Sequence, residues 1–441
     1  MRQLRLAPLI AATYFMVSGG PYGLEDTIGQ AGYARTLILL VIVPIFWSLP
    51  TALMVGELAS AIPEEGGFYV WVTRGLGRFW GFQEAWLSLA AGLFDMAVYP
   101  ALTISYLAQL SPAITAGPRG VLWIFGIIIL CAAWNLRGAF SVGEGSVWMS
   151  VVLLLPFAVI IILGLYRAVT GPFSAGQPPP LIGNFRTAVF IVLWNYMGWD
   201  NASTVANEVR DPQRNYIRSM LGALALVAGT YIATVSAVAA AGVPSAHFST
   251  GDWVSAARIL AGAGSIARWL GFAVVLGGAV TGIAMLNALI LSYARIPAAM
   301  AAEGLLPAVF ARHNSRGVPY FAVIVCSTAV LCVSGLSFER LIDVDVLVYG
   351  FSLVLEFAAL VALRVRRPSL PRPYRIPGKL PGVLALSLAP TAVICWTVFA
   401  TRYEHVAIGI IQVPVLLLTG LICASGMLAY ASRFDCALKI L

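Results

Sequence analysis

The feature that most constrains this chain is a succession of long apolar runs, each near the length of a membrane crossing, with only short polar segments between them. A spanning helix needs roughly 20 mostly apolar residues. Twelve runs approach that length, over 6–30, 36–60, 79–109, 121–136, 146–167, 187–206, 217–242, 267–295, 319–335, 341–363, 383–401 and 405–430. Lipid offers no partner to a free backbone amide, so a spanning segment is a helix or part of a closed barrel. The runs are continuous rather than alternating, which excludes the barrel. The sequence therefore predicts an all-α integral membrane protein with twelve transmembrane helices. Only 10% of the 441 residues are charged, against about 25% in a soluble domain, and so few charges cannot cover a wet surface.

The charges that do occur are asymmetric. Net charge is +8, but a nucleic-acid site would gather it on one soluble face, and here it lies in short loops. With Met1 inside, inner segments hold 19 Lys/Arg and outer segments 8, as the positive-inside rule requires. The expectation is a multi-pass plasma-membrane protein with both termini cytoplasmic and lipid as its surroundings. Met1 to Arg5 followed by an apolar run resembles a signal peptide, but no small-residue cleavage site follows, so it reads as a retained first helix. The six Cys form no CxxC and no loop pair, and read as small packing residues. His247, His313 and His405 lie far apart. The two lysines, Lys379 and Lys439, sit in no phosphate-cradling loop. Asn201-Ala202-Ser203 matches a glycosylation pattern only fortuitously, inside a span. No cofactor, metal or enzymatic motif is expected, and the oligomeric state is left open.

Two of the runs are broken. The first reads Ser18-Gly19-Gly20-Pro21-Tyr22-Gly23-Leu24-Glu25-Asp26, and the sixth reads Trp194-Asn195-Tyr196-Met197-Gly198-Trp199-Asp200. Pro removes an amide and clashes with the preceding turn, and Gly weakens a helix further. Gly23 and Gly198 are 175 residues apart, and so are Glu25 and Asp200. Five helices separate the breaks, so the second copy begins with opposite orientation. This is the pattern of an inverted 5+5 repeat, whose discontinuous helices 1 and 6 hold a site near the midplane. One permease-like domain over 1–441 then divides into repeats over 6–168 and 187–363, with two appended helices over 383–430.

A carboxylate at the membrane centre costs roughly 2.5–3.5 kcal/mol on insertion scales, so Glu25, Asp26, Asp95 and Asp200 are candidate site residues. No basic residue lies at matching depth, and such acids need protons or a cation. The sequence thus favours a small organic cation as substrate, with Glu25, Asp95 and Asp200 as candidates for proton coupling. The break erases helix phase and leaves open which of Glu25 and Asp26 faces a cavity. Glu57, Glu84 and Glu356 fall nearer helix ends, where a solvated structural role is expected. Tyr22, Tyr99, Trp194, Tyr196 and Trp199 lie near the breaks and could stack on an ammonium.

Several motifs carry a resemblance. Gly19–Asp26, Pro63-Glu64-Glu65-Gly66-Gly67-Phe68-Tyr69, Asp95-Met96-Ala97-Val98-Tyr99-Pro100, Glu208-Val209-Arg210-Asp211-Pro212, the segment Arg295–Pro307 and Pro371-Arg372-Pro373-Tyr374-Arg375-Ile376-Pro377 resemble the amino acid–polyamine–organocation superfamily. Within it, the chain is most similar to the polyamine:proton symporters. The resemblance implies alternating access, Trp194 as an aromatic gate, Asp200 as an inner gate, and Gly20, Gly23, Tyr99 and Asn287 near the substrate. Amino-acid members carry a Gly-Ser-Gly type break whose amides bind the substrate carboxylate. Here Glu25 and Asp26 stand beside that positive end, which would repel a carboxylate and suit an ammonium. Helix 5 lacks the Lys of some proton-coupled members, so coupling must use a carboxylate. The leading expectation is a proton-driven polyamine importer. The alternative is an amino-acid permease or exchanger of the same fold. A sensor or scaffold would carry a sizeable soluble domain, and a membrane enzyme clustered His or nucleophile motifs.

Overall fold

The computed structural model describes residues 5–64, 66–170, 184–245, 248–336, 338–408 and 411–438. Glu65, His247 and Lys439, noted in the sequence, lie outside them. α1 (Leu6–Val17) ends where the Gly-Pro segment begins, and α2 (Glu25–Val43) resumes after it. Gly32, at φ 72, kinks α2, and a π-helical turn over Pro44–Ser48 leads into α3 (Leu49–Ala61). Short α4 (Phe68–Leu76) precedes the long α5 (Arg78–Ala108). α6 (Pro112–Thr115), α7 (Pro118–Asn135) and α8 (Ala139–Thr170) follow. α9 (Phe185–Asn195) stops at the second break and continues as a 3₁₀ turn over Trp199–Glu208. Then come α10 (Pro212–Ala240), α11 (Trp253–Ala261), α12 (Ser265–Tyr293) and α13 (Arg295–Ala302). α14 (Tyr320–Val333), α15 (Phe338–Arg366), α16 (Lys379–Ala400) and α17 (Val415–Leu438) complete the helices.

Among the described residues, nine helices are long and apolar enough to cross a membrane, and Leu6–Val17 and Tyr320–Val333 are shorter apolar helices. The chain is an all-helical, multi-pass membrane protein. The last apolar run departs from expectation. Its first part, predicted as helix from 405, is an antiparallel hairpin of β1 (His405–Ile408) and β2 (Ile411–Pro414), with Ile408 opposite Ile411. β-Branched residues favour the extended pairing, and Pro414 lacks the amide a helix interior needs. Helix resumes at Val415.

α5 sits at the centre, packed along α12 and α15. Outer helices turn apolar side chains outward: Leu122 and Leu428 are 70% exposed and Leu388 is 68%. A wet surface does not sustain so much exposed hydrocarbon; lipid does.

The breaks use conformations open to glycine. Gly23 has φ 91 and Gly198 φ 87, a region costly to residues with a Cβ. They also interlock. A Cβ on Gly23 would stand 3.1 Å from the Trp194 ring, and one on Gly198 would stand 2.5 Å from the Met16 carbonyl oxygen. Backbone groups freed by the breaks find partners within the protein, as a low-dielectric interior demands. Trp253 Nε1 donates to the Pro21 carbonyl at 2.8 Å. Ser48 Oγ, at the end of the π turn, donates to the Tyr196 carbonyl at 3.0 Å. The Gly198 amide donates to Tyr349 Oη at 3.1 Å.

Near the ends of α3 and α15 a buried ion cluster ties distant segments. Arg364 donates to both oxygens of Glu57 at 2.6 and 2.5 Å, Arg372 Nε lies 3.2 Å from Glu57 Oε1, and the Ile376 amide donates at 2.8 Å. Glu57 was expected to be a solvated helix-end acid and is instead fully buried; the two guanidiniums supply what water would have. In the loop beyond the span, burial lowers the pKa of Arg372 from its ordinary value, with Glu57 pulling the other way.

Candidate functional site

Asp95 lies midway along α5 and is 8% exposed. Its Oδ1 accepts from Trp194 Nε1 and from Tyr99 Oη, each at 2.9 Å. Tyr99 stands one turn along the same helix face. Trp194, from the last turn of α9, stacks on Tyr99 with ring centroids 5.8 Å apart, and meets the Phe338 ring edge-on at 5.7 Å. Two aromatic donors thus fix one oxygen of the carboxylate, while among the described residues none donates to Oδ2. Asp345 of α15 is fully buried, with no hydrogen-bond partner on either oxygen among the described residues, and interacts electrostatically with Asp95.

Glu25 opens α2 and is fully buried. Its Oε2 accepts from the Gly23 amide at 2.7 Å, and its Oε1 from the Gly251 amide at 3.1 Å and from Tyr106 Oη. A carboxylate of the protein itself therefore occupies the amide-rich end of the first break. The neighbouring Asp26 meets the same loop one residue earlier, accepting from Thr250 Oγ1 at 2.5 Å, and is only partly buried. Asp200 follows the second break and is 1% exposed. Its Oδ1 accepts from Tyr349 Oη at 2.5 Å.

Not every residue read from the sequence joins this group. Tyr22 Oη donates to the Val274 carbonyl at 2.9 Å, and its ring packs edge-on against Tyr106 and Phe157. Tyr196 Oη donates to the Leu40 carbonyl at 3.1 Å. Trp199 Nε1 donates to the Tyr196 carbonyl at 2.8 Å. These three spend their polar atoms holding the breaks. Gly20, at φ 74, packs against Leu153, and its amide donates to Ser18 Oγ at 3.0 Å. Asn287 is turned toward α7, where its Oδ1 accepts from Asn135 Nδ2 at 2.6 Å.

Two sequence readings need revision. Glu84 and Glu356 are not solvated helix-end residues: both are fully buried, on helices α5 and α15 that pack against each other. Asp345 was missed, although an acid inside the apolar run 341–363 is itself a signal. No ion pair among the described residues reaches Glu25, Asp26, Asp95, Asp200 or Asp345. Nor do the described residues contain a group of three side chains suited to hold a metal.

The amino acid permease family matches residues 10–423. The chain belongs to that family. The permease is 31% identical over 393 residues to polyamine transporter PUT1 of Oryza sativa subsp. japonica, covering 89% of this chain and 73% of the relative. It is 30% identical over 394 residues to polyamine transporter RMV1 of Arabidopsis thaliana, covering 89% and 80%. It is 25% identical over 389 residues to the serine/threonine exchanger SteT of Bacillus subtilis, covering 85% and 84%. The permease is thus a membrane transporter for a small organic solute, not an enzyme, and the resemblance read from its motifs holds.

Proposed function

We propose that this permease carries polyamine-like organic cations across the plasma membrane by alternating access, coupled to protons. The observation that carries the reading is the acid pair Asp95 and Asp345, buried without a basic partner beside Trp194 and Tyr99. Burying a bare carboxylate costs several kcal/mol, which a matching cation recovers, and stacked rings add a cation–π face. Glu25 supports the same choice. Its carboxylate already takes the Gly23 amide, so a zwitterion's carboxylate would meet a like charge there. Relatives named polyamine transporters point the same way. The named serine/threonine exchanger favours the second reading, amino-acid exchange, against which Glu25 stands.

The wider frame of the proposal is twelve spans in two inverted five-helix repeats plus two helices, with both termini cytoplasmic. Its support is the 175-residue spacing of Gly23 and Gly198, their similar φ and the loop charge bias. Glu25, Asp95 and Asp200 are the proposed proton-coupling acids.

The test is uptake of labelled putrescine by liposomes holding the purified protein, with and without an inward proton gradient. Spermidine, arginine, leucine and glutamate serve as competitors. Gradient-stimulated, saturable uptake indifferent to leucine is expected. Amino-acid flux without putrescine flux would transfer the assignment to the second reading.

A further inference from the structure

Asp95 and Asp345 are not the only facing acids on α5 and α15. Glu84 precedes Asp95 by eleven residues, and Glu356 follows Asp345 by eleven. Eleven residues are close to three helical turns, so each helix presents its two acids on one face. The acids neighbour one another across the two helices: Asp345 interacts electrostatically with Asp95, and Glu356 with Asp200 and Glu84. The helices run antiparallel and match acid to acid at two levels.

The second level is as deeply buried as the first. Glu84 and Glu356 are fully buried and Asp200 is 1% exposed. Among the described residues Glu356 has no hydrogen-bond partner on either oxygen, and Glu84 none on Oε2; the Oε1 of Glu84 accepts from Ser88 at 2.6 Å. No ion pair among the described residues reaches Glu84 or Glu356. Buried acids of a purely structural kind are paired, as Glu57 is with Arg364 and Arg372. Between the levels, the Tyr293 ring lies over Gly92, where a Cβ would come within 2.5 Å of it. The Tyr293 hydroxyl is in Coulombic range of Asp95, Asp345 and Asp200. Tyr293 therefore stands between the acids of the two levels.

We infer that Glu84, Glu356 and Asp200 form a second ammonium subsite, and that a long linear amine is held at both levels at once. The inference rests on the polyamine reading above and adds a preference for chain length. Eleven residues rise about 16 Å along a helix. Side chains leaning toward each other shorten the span by a few Å, so the ammonium groups are separated by about nine to thirteen bonds at ordinary bond lengths. That is the reach of a linear triamine or tetramine. A short diamine would engage one level only. Tyr293 would have to swing off Gly92 to admit the longer chain.

The test is competition against labelled putrescine uptake in liposomes containing the full-length protein, using putrescine, spermidine and spermine. Wild-type affinity should rise at least about tenfold from diamine to tetramine, the gain of one further charge contact. Glu84→Gln and Glu356→Gln should erase that gain while leaving the diamine within about twofold. The charge-retaining Glu84→Asp and Glu356→Asp variants should recover part of it. Equal loss for all three amines, or a wild type without length preference, would overturn the two-level subsite and leave the polyamine reading intact. A wild type that takes up no amine would sink both. Thermal unfolding of each variant separates lost selectivity from lost fold, and the wild-type length series stands even if a variant does not fold.

Discussion

Replacing Asp95 with asparagine separates the charge of this side chain from its hydrogen bonds. The asparagine amide would keep an oxygen for Trp194 Nε1 and Tyr99 Oη, the two donors now 2.9 Å from Oδ1. Stability should therefore change by no more than about 1 kcal/mol. Substrate binding should not be spared. Losing one partner of a buried charge pair costs about 2–5 kcal/mol, and each 1.4 kcal/mol is about tenfold in affinity. The apparent affinity for putrescine should fall between about thirty-fold and a few thousand-fold. Asp95→Ala is the structural control. It orphans both aromatic donors at about 1–3 kcal/mol each, so it should lose thermal stability as well as transport. The assay is labelled-putrescine uptake in liposomes, with the melting of the purified protein followed in parallel. An Asp95→Asn permease with near wild-type affinity would refute the assignment of Asp95 to the cation. One that melts as early as Asp95→Ala would mean that the charge holds the fold.

Weakening the Glu57 cluster by Arg364→Ala should cost about 1.5–3 kcal/mol, since it removes the charged hydrogen bonds from Arg364 while Arg372 and the Ile376 amide still hold the carboxylate; a lower melting temperature in detergent checks this. Gly23→Ala drives a Cβ to 3.1 Å from the Trp194 ring, so uptake should drop severalfold while the amount of folded protein, read by size-exclusion, stays within about twofold. Gly198→Ala should be worse, because its Cβ would meet the Met16 carbonyl oxygen at 2.5 Å in a left-handed conformation costing roughly 1–2 kcal/mol. Little folded protein should be recovered. Glu25→Gln puts an amide donor against the Gly23 or Gly251 amide, costing about 1–3 kcal/mol, and arginine or leucine competition should strengthen if amino-acid carboxylates then gain access.

Much of this was legible in the sequence because the membrane allows so few solutions. Glycine, proline and acid in mid-span mark the breaks by residue type alone, and both breaks fall where the runs placed them. Depth was harder. Glu84 and Glu356 lie toward the ends of their runs, but burial is decided by what packs against a helix, and α5 and α15 cover each other there. Asp345 hid inside a run whose average hydropathy masked it. Side-chain direction beyond a break was unreadable for the same reason that the break exists: without helical phase, neither Tyr196 reaching the Leu40 carbonyl of α2 nor Glu25 reaching the Gly23 and Gly251 amides follows from spacing. The hairpin before α17 has the hydropathy of a span, and only its β-branched residues and Pro414 argued otherwise.

The interlocked breaks have a consequence for how this transporter could be retuned. Gly198 against the Met16 backbone leaves no room for an added carbon and Gly23 admits one only if the Trp194 ring gives way, so the discontinuous segments offer little variation that spares transport. The acids on α5 and α15 sit on regular helices whose backbone does not depend on their identity. A library seeking altered selectivity would do best to vary Glu84, Asp345 and Glu356 and leave the breaks untouched. Drift in substrate preference among descendants of such a protein should leave its trace on those two helices first.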